Sequence, residues 1–402
     1  MKGVEWRKGG SHQILMIPGP TEVPWRVIRA MNQPAIMQYD PGFDVEILDP
    51  TLLKLKQVFQ TDHEVIVLPG SGRTALEASA LSVIEPGDRV VVTITGVFGT
   101  LMREIVERAG AQVTEFRAEW GQPLDLDALE RTLKATRPKA LTLVHNETST
   151  GATYPADQIG KLAQEHNCLF LADTVSSLAG LDIKTDQWGI DFNMAGSQKC
   201  LAMPLGLALV AVSQRAWEAM ERRSRKASTL AYDLLSWKKQ WLPPERGGRA
   251  TGHRRQPISM PPHLVLALRE AVEIILEEGI EHRFERHRIA SAAFRAGLGA
   301  MKLSLFAHPT LASNTVTGIQ MPNGVSAPSV VKRMRDYGIV VTSGIEKTRE
   351  TIIRIGIMGI TASPQYVLPT LATLGWALRD LGHRLDVGEA LARAESVFSE
   401  SG

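Results

Sequence analysis

The sequence predicts an α/β protein: a large domain carrying a mostly parallel sheet, followed by a smaller α+β C-terminal domain. Three observations predict it. Short β-branched and aliphatic runs alternate with amphipathic helical stretches through the first two-thirds of the chain. Glycine- and proline-bearing turns follow those runs, where open α/β sheets usually bind their ligands. Composition then shifts to a basic, loop-like stretch between Leu242 and Pro262, beyond which long helices and only short strands follow.

The strand-length runs are Glu64–Leu68, Arg89–Thr95, Ala140–Val144, Cys168–Ala172 and Gly206–Val212. Their consecutive apolar residues imply burial on both faces, as in a parallel sheet covered by helices. Helical segments between them include Gly99–Ala109 and Leu126–Ala135. A long helix is expected over Leu264–Glu278, a second from near His282, and short strands at Thr315–Gln320 and Thr351–Ile355. This places an N-terminal segment and large domain over 1–279 and a small domain over 280–402.

At 402 residues, 44% hydrophobic and 22% charged, the chain has the profile of an ordinary globular protein of one large and one smaller domain. The formal net charge of +2 gives no reason to expect nucleic acid or an anionic membrane as partner. Basic stretches at Arg222–Lys226 and Arg246–Arg255 could be argued as a nucleic-acid module, but a solvated helix face and an interface loop account for them. The two cysteines, Cys168 and Cys200, allow no disulfide framework or metal-ligand spacing and suit a reducing compartment. No signal core or membrane-length run is present, so a cytoplasmic location is expected.

The most informative residues are Asp173, in the run Leu171-Ala-Asp-Thr-Val-Ser-Ser177, and Lys199, in Ala195-Gly-Ser-Gln-Lys-Cys200. Pyridoxal phosphate chemistry needs both. A lysine amine forms a Schiff base with the cofactor aldehyde, and a buried carboxylate pairs with the pyridinium nitrogen so that the ring accepts electrons. Singly, each also reads as a strand-end cap or a surface lysine. Pro69-Gly-Ser-Gly-Arg-Thr-Ala75 follows a strand and opens a helix, so its N–H groups suit a phosphate. It is neither a Walker loop nor the full dinucleotide fingerprint, and a plain strand-to-helix turn is the alternative. Phe98 either stacks on a flat cofactor or is a core residue. In His145-Asn-Glu-Thr-Ser-Thr-Gly151, a strand ends in six polar residues, with Thr148 suited to the cofactor ring oxygen and Glu147 to a supporting role. Arg354, an isolated cation in an apolar strand, needs an anionic partner: a structural carboxylate or, as its fork geometry suits, a substrate carboxylate.

The order of these motifs, from Ile17-Pro-Gly-Pro-Thr-Glu-Val-Pro24 to the Arg354-Ile-Gly strand, resembles the class V (subgroup IV) aminotransferases, closest to the alanine-, serine- and ureidoglycine–glyoxylate group. The resemblance covers nearly the whole chain. It implies the pyridoxal phosphate-dependent transferase fold type I and a homodimer with shared active sites. Lys199 would be the Schiff-base lysine and Asp173 would lie under the pyridine nitrogen, with Phe98 stacked on the ring. Val175 would also contact the cofactor, and Ser71, Gly72, Arg73 and Gln198 would lie near the phosphate. Relatives often carry histidine or another polar residue where Arg73 stands. Arg354 would hold the substrate α-carboxylate, and Gly19 would lie on the substrate side. Gln256 and Ser259 would be the residues lent by the partner subunit.

The implied reaction is a ping-pong transamination to glyoxylate, with Lys199 as the general base and then acid at the substrate α-carbon. Alanine or serine leads as donor, and Asn146 is of the serine type. Ureidoglycine follows, because Met37-Gln-Tyr-Asp-Pro41 resembles the segment whose glutamine, here Gln38, recognises a ureido group. Pyridoxamine–pyruvate exchange and a lyase on the same fold are the alternatives. Cysteine desulfuration lacks its mobile cysteine, since both cysteines precede residue 201.

Overall fold

The computed structural model describes residues 13–37, 39–249 and 254–401. A seven-stranded sheet forms from β1 (Glu64–Gly70), β2 (Arg89–Ile94), β3 (Gln112–Arg117), β4 (Ala140–Val144), β5 (Leu169–Asp173), β6 (Phe192–Gly196) and β7 (Gly206–Val212). Its order is β1-β7-β6-β5-β4-β2-β3. β7 runs antiparallel to both neighbours and the other pairings are parallel, so the sheet is mixed but mostly parallel. Each strand expected from an apolar run is present, Ala140–Val144 and Gly206–Val212 with the expected ends and the others displaced by a residue or two. β4, β5 and β6 are buried at every position, as strands covered by helices on both faces must be. β3 was not expected: as an edge strand it is half-buried and polar, Gln-Val-Thr-Glu-Phe-Arg, and lacks the continuous apolar signal.

Helices Ile280–Ala300, Ala327–Asp336, Pro364–Asp380 and Val387–Glu400 pack with an antiparallel sheet of β8 (Val316–Gln320), β9 (Thr342–Ser343) and β10 (Ile352–Gly356), ordered β8-β10-β9. Their apolar cluster runs from Ala290 to Phe398 and also takes in Met16 and Ile14. Ile14–Leu15 pairs in parallel with Ile339–Val340. We propose that the chain divides at Gly279, between two consecutive helices, with the segment around residues 14–16 belonging to the C-terminal unit rather than to the large one.

Arg246 and Arg254 of the basic stretch turn inward. Arg246 meets Glu64 and Asp49, and Arg254 meets Asp49, so two of the stretch's arginines are neutralised within the fold while Arg249 and Arg255 stay exposed. Among the described residues, no helix is long and apolar enough to cross a membrane.

Candidate active site

The carboxyl ends of β1, β2, β4, β5 and β6 converge, and the turn beyond each delivers one group of polar or aromatic side chains. Together they line a cavity of about 320 Å³ that includes Ser71, Gly72, Arg73, Phe98, Asn146, Thr148, Asp173, Val175, Gln198 and Lys199. Residues drawn from five separate turns of the sequence thus share one site.

At one end, Gly72 opens the helix Gly72–Val83. The Ser71 N–H is held by the Thr74 hydroxyl at 3.1 Å, while the next N–H groups have no intrahelical partner. A β-carbon at Gly72 would stand 2.5 Å from Val175 Cγ2, so only glycine lets this turn sit against the cavity wall. Gln198 Oε1 is buried here without a hydrogen-bond partner among the described residues.

Deeper in, Asp173 ends β5. Its Oδ1 accepts the Val175 N–H at 2.9 Å. Burial pushes its pKa up to about 7, against that hydrogen bond and the nearby Lys199 charge. Burial pulls Lys199 down to about 8, and the Arg354 cation acts in the same direction. The Lys199 amine donates to the Pro18 carbonyl, and a β-carbon at Gly19 would stand 2.6 Å from Nζ. Gly19 therefore packs directly against the amine. Thr21 fixes this N-terminal segment by donating its N–H to Gln198 O at 3.1 Å and its hydroxyl to Met358 O at 3.0 Å.

Arg354, in β10, donates Nε to Ser343 O at 3.0 Å and Nη1 to Thr148 O at 3.1 Å. Neither partner is a carboxylate, so these contacts do not support the structural ion pair, the less favoured of the two readings. Two backbone carbonyls orient the fork, and burial lowers its pKa to about 10, with the Glu147 charge opposing.

Glu147 has a role the sequence did not reveal. The helix Val97–Arg108 has Gly96 at its N-cap, which offers no capping side chain. Glu147 Oε2 supplies that function from β4's far end, accepting the N–H groups of Phe98 at 3.1 Å and Gly99 at 3.2 Å. Oε1 accepts the Ser149 N–H and hydroxyl. The carboxylate thus ties the Phe98 and Gly99 backbone to Ser149 in the turn that carries Thr148. Burial raises its pKa and the four donors oppose the rise. Glu147→Gln turns an amide N–H toward these donors. It is expected to cost about 1–3 kcal/mol, read as a lower melting temperature together with weaker cofactor retention.

Two other residues of the polar turn are committed to structure. Asn146 is engaged at both amide ends, donating to Ser176 O, Ser176 Oγ and Thr315 Oγ1 and accepting from Thr153. It braces the wall rather than presenting a spare amide. His145 bonds Ser177 Oγ at 2.9 Å, lies edge-on to Trp188, and is held near pKa 4 by burial. Gln256 and Ser259 do not line this chain's cavity: Gln256 Oε1 accepts the Met260 N–H, and Ser259 Oγ lies 3.4 Å from Tyr39 Oη. Gln38 lies outside the described residues.

A helix-opening turn whose first N–H groups have no intrahelical partner, a carboxylate with one oxygen free to accept a ring N–H, and an amine of lowered pKa form a set of groups that fits pyridoxal phosphate. The fold and this fit define the class as a pyridoxal phosphate enzyme of fold type I. The chain belongs to the class V aminotransferases: the family model "Aminotransferase class-V" matches residues 18–360. It is 35% identical to the (S)-ureidoglycine–glyoxylate transaminase of Bacillus subtilis, covering 96% of each chain. It is 32% identical to the serine–glyoxylate aminotransferase of Methylorubrum extorquens, covering 98% of each. The crystal structure of pyridoxamine-pyruvate aminotransferase from Mesorhizobium loti superimposes with a TM-score of 0.91 at 28% identity, covering 98% of this chain and 99% of that one.

Proposed function

We propose that this aminotransferase moves the amino group of a small amino acid to glyoxylate in two half-reactions, with Lys199, Asp173 and Arg354 as its principal residues. One observation carries the reading: the Lys199 amine and the Asp173 carboxylate line the same cavity as the anion-binding turn at 71–73. When bound, pyridoxal phosphate supplies the electron sink that acidifies the substrate α C–H and carries the amino group from donor to acceptor.

The chain's own residues supply the rest. Gly72 and its neighbouring N–H groups, with Ser71, Arg73 and Gln198, receive the phosphate. Phe98 and Val175 line the cavity where they would flank the flat ring, and the Thr148 hydroxyl would be available to its oxygen substituent. The free oxygen of Asp173 would pair with the ring nitrogen, and a protonated ring would in turn favour the ionised carboxyl. Lys199, with a pKa near neutrality, accepts a proton at Nζ and returns it. Arg354, aimed by Ser343 O and Thr148 O, receives the substrate carboxylate, and the segment at Gly19 closes over the amine. Arg354→Gln is expected to raise KM for amino acid and keto acid about 10- to 100-fold, with a smaller effect on kcat, in steady-state kinetics.

Alanine or serine is the leading donor and glyoxylate the acceptor. Ureidoglycine is the second reading, favoured by the Bacillus subtilis relative and the Gln38 segment. With Asn146 committed to Ser176, Thr315 and Thr153, its identity carries less weight for serine. We further propose a homodimer in which Gln256 and Ser259 of each copy complete the other copy's site. Supporting this, Trp25, Ile28, Met37, Tyr39, Val45 and Leu53 expose apolar side chains, and Tyr39 adjoins Ser259. The deciding experiment mixes the holoenzyme with single candidate donors, follows loss of its visible absorbance, and then adds glyoxylate or pyruvate to restore it. If no amino acid alters the absorbance, the reading is wrong.

A further inference from the structure

Glu278 ends the helix Pro262–Glu278, and Gly279 turns the chain into Ile280–Ala300. Across that turn its carboxylate receives Arg283 Nη1 at 2.7 Å and Arg286 Nε at 2.5 Å. The two guanidiniums hold different loops. Arg283 donates Nε to Ala179 O at 2.9 Å and Nη2 to Cys200 O at 2.6 Å. Cys200 directly follows Lys199 in the chain. Arg286 donates Nη1 to Gly359 O at 2.8 Å and to Ala362 O at 2.7 Å, in the turn that follows Arg354's strand. His287 adds to the hold, accepting the Gly359 N–H on Nε2 at 3.0 Å.

One carboxylate therefore joins the loop carrying the amine to the loop that leaves the carboxylate clamp. Arg283 is only 3% exposed, so its bonds to Ala179 O and Cys200 O are made away from bulk water. A cavity of about 340 Å³ adjoins the group, lined by Leu201, Ala202, Ile360 and the three charged residues among others. A shortened side chain leaves space rather than finding new neighbours.

We propose that Glu278, Arg283 and Arg286 are positioning residues that set the spacing between Lys199 and Arg354, and hence the register of a carboxylate-bearing substrate on the proton-transferring amine. This rests on the function proposed above. The noncovalent hold on the cofactor at Asp173 and the turn at 71–73 should be less sensitive to the brace than the Lys199–Arg354 spacing, because neither Arg283 nor Arg286 bonds those residues. Only a substrate gripped at both ends senses the spacing, and a misplacement of about 1 Å is worth up to about 10²-fold in rate.

The test compares alanine with alaninamide, which lacks the carboxylate, in the donor half-reaction of the holoenzyme. Arg286→Met and Glu278→Gln are expected to lose about tenfold or more of the wild-type preference for alanine, while cofactor affinity stays within about twofold. Arg286→Lys, which keeps its charge beside Glu278, should retain more of the preference than Arg286→Met. It also carries the test should the methionine variant not fold. Glu277→Gln, altering the neighbouring exposed carboxylate that pairs with Arg26, should behave as wild type. Folded, cofactor-bound variants with unchanged preference would overturn the brace alone. A wild-type protein that takes up no cofactor would overturn the proposed function, and the brace with it.

Discussion

Lys199→Ala is expected to lower turnover about 10⁴-fold or more while leaving the fold and the cofactor cavity in place. The amine's acidity is the reason. At its ordinary pKa of about 10.5, only about 0.3% of a lysine is unprotonated at pH 8. Burial and the Arg354 cation bring Lys199 to about 8, where half of it is. Lowering the pKa thus makes an otherwise poor base serviceable near neutrality. The free amine of the cofactor-free protein should therefore titrate near 8, read as the pH dependence of its modification by an amine-selective reagent. Alanine leaves a void where Nζ stood, beside Pro18 O and Gly19, and this space admits a small amine. Methylamine should restore part of the lost rate, increasingly so at higher pH as the added amine deprotonates. The measurement is single-turnover loss of the donor with and without methylamine. A variant that keeps normal turnover without it would remove Lys199 from the mechanism.

How much of this was legible in the sequence depends on the range of the interaction. The strands at 64–70, 140–144 and 206–212 were visible because burial on both faces demands unbroken apolar runs. The Asp173 and Lys199 motifs were visible because strand ends carry the chemistry in such sheets, and both residues open onto one cavity. Contacts across long stretches of chain were not. No local pattern says that Glu147 will cap a helix beginning at Val97, since the usual signal is a polar residue at the cap itself. Nor does it say that Arg354 will be aimed by the carbonyls of Ser343 and Thr148 instead of a carboxylate. Backbone acceptors have no residue identity to read. The pairing of Ile14–Leu15 with Ile339–Val340 was hidden for a related reason: a two-residue strand has too few positions to show a period.

Asp173→Asn is expected to separate stability from activity in opposite directions. In the cofactor-free protein, burial raises the Asp173 pKa from an ordinary 3.8 to about 7. Between these values the folded state binds a proton that the unfolded state has released, so stability falls as pH rises through that window and levels off above about 7. Three pK units correspond to roughly 4 kcal/mol, an upper figure for the cost of keeping the carboxylate ionised at pH 8. Asparagine keeps an oxygen for the Val175 N–H and carries no charge, so it escapes this cost. The cofactor-free variant should therefore melt at a higher temperature than wild type at pH 8. The difference should shrink as pH falls through 7 and vanish below about 3, where the wild-type carboxyl is neutral in both states. Activity should move the other way, falling about 10²- to 10³-fold, because a neutral amide cannot stabilise a protonated ring nitrogen as a carboxylate does. Differential scanning calorimetry of the cofactor-free proteins across pH 3–8, beside kcat at pH 8, reads both effects. Equal melting temperatures at pH 8 would mean that Asp173 is not held ionised against its surroundings. The ring cation would then not be what offsets its burial.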